Sequence, residues 1–404
     1  MTSAPVRTPP TQAEAPAEVA AEGLEWVEQR MLVDRSIQLI EAHQQPSGAY
    51  AASPTFSAYR GYSWFRDGAF IADAMSAAGS AEAASRFHDW AALVLTAHRT
   101  QINDIVVAAD LGVPLPESEM LATRFTFDGL EGADDWQDFQ LDGYGTWLWA
   151  VVSHAERHGL DLDRWIPAIE LASSYLVSSW RRPCYDWWEE HSQHVHVSTL
   201  GCIGAGLDAV ARSSHPSAAV RAAAMEAGAE IRRLVSTEGL VDGRMRKWLG
   251  SDDLDASLVS LIAPLGWIDA ADPVARATID AIAGSLAIDG GVHRYLGDTY
   301  YGGGQWPLLS CMLGLAYVRI GDRAEAARYL HWAAQAADEE GIPEQTTDHL
   351  LAPERRAEWI ERWGQPAHPL VWSSAMFLRL ALELGVTPSS LTPTSGDRTS
   401  GDAR

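Results

Sequence analysis

Ser198-Thr-Leu-Gly-Cys-Ile-Gly-Ala-Gly-Leu-Asp-Ala-Val210 is apolar on nearly every side, and Ala218-Ala-Val-Arg-Ala-Ala-Ala-Met-Glu-Ala-Gly-Ala-Glu-Ile-Arg-Arg233, just after it, carries charge on one face. A helix that is dry all round has to be buried, whereas a one-sided helix keeps its charged face in water. The pair therefore reads as an inner helix followed by an outer one. Trp306-Pro-Leu-Leu-Ser-Cys-Met-Leu-Gly-Leu-Ala-Tyr317 is a second dry segment.

The same reading extends along the chain. Apolar residues recur with a helical period, and the alternation expected of strands is nearly absent. Twelve segments are predicted, starting near Leu24, Arg66, Ser80, Leu141, Asp163, Val195, Ser217, Asp255, Ala271, Gly304, Asp322 and Pro369. Odd-numbered segments are amphipathic, and even-numbered ones are smaller and drier. Six exposed helices alternating with six buried ones specify an all-α fold, an (α/α)6 barrel. Residues 24–385 form this unit, between disordered tails at 1–23 and 386–404 that are rich in Ala, Pro, Thr and Glu or in Pro, Ser, Thr and Gly.

A net charge of −24 over 404 residues argues against a nucleic-acid partner, because phosphate recognition needs a basic surface. No segment is long and apolar enough to span a membrane, and the N-terminus has neither the positive start nor the apolar stretch of a secretory signal. The three cysteines, Cys184, Cys202 and Cys311, lack metal spacing and leave an odd one over, so neither a disulfide framework nor a zinc site is expected. A reducing, cytoplasmic location suits them. Oligomeric state is not legible.

The chain contains 17 Trp, and indole faces are common platforms for pyranose rings, although core packing accounts for part of that number. Trp64, Trp136, Trp187, Trp188, Trp306 and Trp372 stand outside helical periodicity and beside charged residues. They fall in loops that each precede a dry segment: Tyr62-Ser-Trp-Phe-Arg-Asp67, Trp136 to Tyr144, Tyr185-Asp-Trp-Trp-Glu-Glu190, Lys247 to Asp255, His293 to Trp306, and Pro343-Glu-Gln345 to Trp372. Outer-to-inner connections of such a barrel open at one end, so six distant loops converge on one pocket. Glu189 and Glu190 sit among apolar indoles, which favour the protonated acid, and Glu344 supplies a second carboxylate. Two carboxylates of this kind are what glycoside hydrolysis requires. From spacing alone, Glu189-Glu190 is more often simply a solvated helix start, and Arg66-Asp67 equally a cap with a surface ion pair.

These strings, over about 60–375, resemble the inverting glucosidases of glycoside hydrolase family 15, which includes glucoamylase, glucodextranase and a bacterial trehalase. The resemblance implies that Glu189 is the general acid and Glu344 the general base. It implies that Arg66 and Asp67 hold the terminal glucose, that Arg294 donates to sugar hydroxyls, and that Trp372 is a wall of the glucose pocket. Trp136 matches an indole packed behind the acid, with Asp186 as its hydrogen-bond partner. Tyr62, Trp64, Trp188, Glu190, Tyr301 and Trp306 complete the expected binding set, with Glu190 dispensable for acid–base chemistry. The family's tyrosine six residues before the Arg of Arg-Asp is replaced by Arg60, and Tyr59 or Tyr62 is left to take its place.

The implied activity is exo-acting release of β-glucose from short α-glucosides, with no cofactor and no metal. The chain looks most like single-domain actinobacterial members acting on isomaltose, which makes α-1,6 the first choice of linkage. The α-1,4 glucoamylases and α,α-trehalases of the same family are alternatives, as is a non-catalytic sugar-binding protein. Three other signals point elsewhere. Gly204-Ala-Gly206 imitates a dinucleotide fingerprint but follows no strand, so close helix packing is the better account. Asp252-Asp-Leu-Asp255 resembles the acidic clusters of terpene cyclases, with helix capping as the plainer reading. His191, His194 and His196 have metal-like spacing but are read as hydrogen-bonding groups.

Overall fold

The computed structural model describes residues 15–132, 136 and 139–389, with side chains from Trp26 onward. Among these, thirteen α-helices follow one another. They are α1 (Ala15–Ala42), α2 (Phe65–Ala77), α3 (Ala81–Ala97), α4 (Arg99–Asp110), α5 (Asp142–His158), α6 (Ile166–Ser179), α7 (Val197–Arg212), α8 (Ala218–Glu238), α9 (Pro273–Ser285), α10 (Pro307–Arg319), α11 (Arg323–Gln335), α12 (Arg356–Trp363) and α13 (Val371–Glu383). A 3-10 helix, Ala256–Leu261, lies between α8 and α9.

The elements form two concentric rings. In the inner ring α2 packs on α5, α5 on α7, α7 on the 3-10 helix, that helix on α10, α10 on α13, and α13 back on α2. Each has an outer partner: α3, α6, α8, α9, α11 and α1 respectively. The dry segments are the inner ones, as their composition requires: residues Val197 to Ile203 of α7 are all buried, and so are Pro307 to Tyr317 of α10. Outer α8 buries only Ala224, Ala227, Gly228, Ile231 and Val235, one stripe of its surface. Gly206 serves helix packing and not a nucleotide, because a Cβ there would lie 2.3 Å from the Gly145 carbonyl oxygen of α5.

The barrel departs from the sequence reading in four places. The fourth inner element, expected as a full helix from Asp255, is a six-residue 3-10 helix. Asp255 caps it by accepting from Ser257 N at 2.9 Å, and Pro264, which has no N–H to donate, prevents a longer run. Helix α4 was not foreseen, although Ile102, Ile105, Val106 and Ala109 turn one side inward at helical spacing. Helix α12, Arg-Ala-Glu-Trp-Ile-Glu-Arg-Trp, buries no residue and was also not foreseen. Three two-stranded ribbons are present where strands were not expected: β1 (Tyr62–Trp64) with β2 (Arg124–Thr126), β3 (Leu240–Val241) with β4 (Arg244–Met245), and β5 (Ala287–Ile288) with β6 (Gly291–Val292). The last two turn through Asp242-Gly243 and Asp289-Gly290, all four with positive φ, the backbone that tight hairpins favour.

The folded unit also exceeds its predicted limits. Helix α1 begins inside the stretch read as an N-terminal tail. At the other end Val386 is buried and Ser389 N donates to Asp34 Oδ1 at 2.9 Å; residues 1–14 and 390–404 lie outside the described residues. No helix among the described residues is long and apolar enough to cross a membrane. Between α2, α3 and α5 runs a stack of imidazoles, His88 on His154 and His154 on His158, each pair with ring centroids 5.1 Å apart. His154 bonds Ser76 Oγ at 2.8 Å and Ser85 Oγ at 2.9 Å, while burial holds His88 well below the ordinary imidazole range and His154 down to about 4.

Candidate active site

All three ribbons lie on loops that enter inner elements, at the end of the barrel where those loops meet. At that end lies a cavity of about 200 Å³ lined by Glu189 and Glu344, with Arg66, Asp67, Arg294 and a set of aromatic rings, Trp64 of β1 among them.

Glu189 sits in a tight turn built by its own loop. The Asp186 carboxylate accepts from Trp188 N at 2.9 Å and Glu190 N at 3.0 Å, and Asp186 O accepts from Glu189 N at 3.0 Å. This folding leaves Glu189 at φ 61°, a left-handed backbone that costs a non-glycine residue about 1–3 kcal/mol and persists only where its surroundings enforce it. The Glu189 side chain emerges into the cavity. Its Oε1 accepts from Trp64 Nε1 at 2.8 Å and lies 3.8 Å from Arg66 Nη2. Burial raises its pKa, with Arg66 and Trp64 pulling the other way, so a proton is retained more readily than by a free carboxylate.

Glu344 comes from the connection ahead of α13 and is 1% exposed. Its two oxygens are held separately: Oε1 accepts from Tyr59 Oη at 2.9 Å and Oε2 from Tyr300 Oη at 3.3 Å. Burial pushes this carboxyl up to about 7, against the hydrogen bond from Tyr59. A base in that range is matched to neutral pH.

Arg66 opens α2 and is fixed by Gln140 Oε1 at 2.7 Å and Asp142 Oδ2 at 3.0 Å; Asp67 Oδ2 lies 3.5 Å from its Nε. Burial pushes Asp67 up to about 7 despite that arginine. Arg294 donates from Nε to Asp298 Oδ2 at 2.8 Å and lies over the Trp188 and Tyr300 rings, 5.1 and 5.0 Å from their centroids. Asp67 Oδ2, Trp306 Nε1 and Trp372 Nε1 are buried without a hydrogen-bond partner among the described residues. Since buried polar groups left unpaired are costly, a ligand rich in hydroxyls suits this lining.

Of the residues singled out from sequence, Trp64, Arg66, Asp67, Trp136, Trp188, Glu189, Glu190, Arg294, Trp306, Glu344 and Trp372 all line the cavity. Three are placed differently. Asp186 is 2% exposed beneath the acid turn and holds backbone N–H groups, not Trp136, which packs edge-on to Trp64 at 6.2 Å. Tyr301 points away, donating to Gly364 O at 2.9 Å, and its neighbour Tyr300 is the one at the cavity. Tyr62 is outside the lining, under the Arg124 guanidinium at 3.8 Å, so the contact left between Tyr59 and Tyr62 falls to Tyr59. Glu190 has more work than expected: it accepts from Arg294 at 3.4 Å and from the Tyr295 hydroxyl.

Sequence reasoning missed the cavity residues Phe56, Trp359, Arg362 and Trp363. The last three belong to α12, whose two tryptophans beside an arginine were the available signal. The histidines are structural neighbours of the acid loop: His194 lies flat on Trp248, centroids 4.3 Å apart, and His196 Nε2 meets His191 O at 3.0 Å.

The sequence profile described as Glycosyl hydrolases family 15 matches residues 27–355. An isomaltose glucohydrolase from Kribbella flavida is 53% identical, over 88% of this chain and 93% of that protein. A trehalase from Mycolicibacterium smegmatis is 28% identical, over 70% of this chain and 46% of its own length. A solved glycosidase variant in complex with glucose superposes with a TM-score of 0.88 at 52% identity, covering 90% of this chain and 99% of that one.

Proposed function

We propose, from the premise that the chain belongs to glycosyl hydrolases family 15, that it is an exo-acting inverting α-glucosidase that removes β-glucose from short α-1,6-linked glucosides such as isomaltose. The observation that carries this reading is the pairing of Glu189 and Glu344 in one cavity, each held by its own hydrogen bonds, in a chain 53% identical to an isomaltose glucohydrolase.

Glu189, with its pKa raised by burial, gives its proton to the glycosidic oxygen. Glu344 takes a proton from a water that attacks the anomeric carbon from the other face, and no covalent intermediate forms. Tyr59 and Tyr300 orient the Glu344 carboxylate for that task. Arg66, Asp67 and Arg294, all buried, grip the terminal sugar at the floor of the cavity. One glucose is then released per event. Three free, buried cysteines fit a reducing compartment, and a cytoplasmic location belongs to the same reading.

The test is proton NMR of early turnover on isomaltose, maltose and trehalose. Initial β-glucose with isomaltose as the best of the three is expected. First accumulation of α-glucose sinks the inverting mechanism, and a preference for trehalose or maltose replaces the linkage alone.

A further inference from the structure

Lys247 is a buried ammonium with two carboxylates and no contact with the cavity. Its side chain is 3% exposed, with Nζ 3.0 Å from Asp255 Oδ2 and 3.7 Å from Asp186 Oδ2. Its backbone is pinned on both sides: Val197 N donates to Lys247 O at 3.1 Å, and Lys247 N donates to Asp253 O at 3.0 Å. A third group closes over it, the Tyr295 ring, whose centroid is 3.1 Å from Nζ.

Each of these partners holds a different part of the acid turn. Asp186 accepts the N–H groups of Trp188 and Glu190, which flank Glu189. Asp255 accepts from the Trp188 indole at 3.0 and 3.1 Å. Tyr295 donates its hydroxyl to Glu190. The left-handed backbone of Glu189 is therefore enclosed by contacts that converge on one cation, and that cation opposes the burial and mutual repulsion of both carboxylates, holding Asp255 below the ordinary carboxylate range while Asp186 is still pushed up to about 7.

We propose that Lys247 is a positioning residue for the general acid: by bridging Asp186 and Asp255 beneath the Tyr185–Glu190 loop, it holds Glu189 in the geometry that delivers a proton to the leaving group. This rests on the assignment of Glu189 made above. Removing the ammonium leaves two buried carboxylates facing each other, so Asp186 takes up a proton, loses its strength as an acceptor, and the turn relaxes.

The experiment compares two substrates that differ in their need for the acid. Isomaltose requires protonation of its leaving oxygen, whereas α-glucosyl fluoride expels the anion of a fairly strong acid and needs none. In K247M and K247Q, kcat on isomaltose is expected to fall by about 10²-fold, the range of lost general acid catalysis, while kcat on α-glucosyl fluoride stays within about threefold of wild type. Retained fluoride turnover also certifies that the variant is folded. K247R, which keeps a cation between the carboxylates, should recover most of the isomaltose activity.

Equal losses on both substrates in every variant, or isomaltose turnover unchanged in K247M, overturn the proposal. E189Q serves as reference. If it shows no selective loss on isomaltose, the acid assignment itself fails; if it does and K247M does not, only the role of Lys247 fails.

Discussion

The floor of the cavity and its rim are built differently, although the same substrate has to pass both. The floor comes from short strings in the connections that lead into inner helices, with Arg66 and Asp67 in the first turn of α2. Arg66, Asp67, Arg294 and Glu344 are each under 10% exposed, and the arginines are bound by carboxylates in fixed geometry. The rim on one side is α12, a helix that buries nothing and puts Trp363 and the exposed Arg362 at the entrance. The Arg362 guanidinium lies 5.9 and 5.2 Å from the centroids of the Trp359 and Trp363 rings. Buried, interlocked charge tolerates no change and so defines the chemistry. A half-buried aromatic rim can vary at less cost to the fold, and is where preference for the departing sugar can reside.

The strongest way to break that contrast is at the two glutamates. E189Q and E344Q should each lower kcat on isomaltose by at least about 10²-fold with melting temperature near wild type, and near-normal turnover in either folded variant removes that residue from the mechanism. Next in size is the grip on the terminal sugar. D67N should reduce kcat/KM by about 10²-fold and by the same factor on isomaltose, maltose and trehalose, because a lost charged hydrogen bond costs about 1.5–3 kcal/mol whatever leaves. A loss confined to one linkage would transfer Asp67 from floor to rim.

W363A and R362A should behave the other way round. Each is expected to change the ratio of kcat/KM for isomaltose over maltose by about tenfold, through loss of stacking or of a single donor, with activity on α-glucosyl fluoride left alone. If all substrates fall together, α12 is a structural prop and the rim carries no preference. The smallest effect concerns the base. Because Glu344 must be ionised to accept a proton and burial sets it at about 7, kcat/KM should decline as pH falls below that value. Y59F removes a hydrogen bond that favours the ionised form, so this limb should move to higher pH; a shift to lower pH would contradict the contact.

What could be read in advance follows the same line. The inner ring was legible because a helix buried on all sides must be apolar on all sides, and α7 and α10 are. The two glutamates, Arg66, Asp67 and Arg294 were legible because each sits in a short string that resembles a family motif, although their partners in the site come largely from other loops. Tyr59 and Tyr300 were harder, since each meets Glu344 across a long sequence separation and each has a second tyrosine close by in the chain. The mistaken choice of Tyr301 over Tyr300 is a one-residue error that only the local turn resolves. Helix α12 buries no residue fully, but Trp359, Ile360 and Trp363 form a half-buried stripe at helical spacing, a short signal that was passed over. The Asp-Gly turns at 242–243 and 289–290 are different, because that dipeptide is a hairpin signal, and the ribbons were overlooked among helices although the signal was present.

The imidazole stack between α2, α3 and α5 sets a lower boundary on the life of this barrel in acid. His154 is held at about 4 from an ordinary 6.5, so the neutral ring contributes stability that is complete above about pH 6.5 and drains away as pH falls toward 4. Glu344 and Asp67 lean in the opposite direction. Their folded pKa values of about 7 mean that their burial favours the fold at low pH and weighs against it as pH climbs toward 7. Proton uptake at the stack and proton release at the cavity thus pull stability in contrary directions across mildly acidic conditions. The pH at which the molecule lasts longest is a compromise between these two regions, and it need not coincide with the pH at which it turns over fastest.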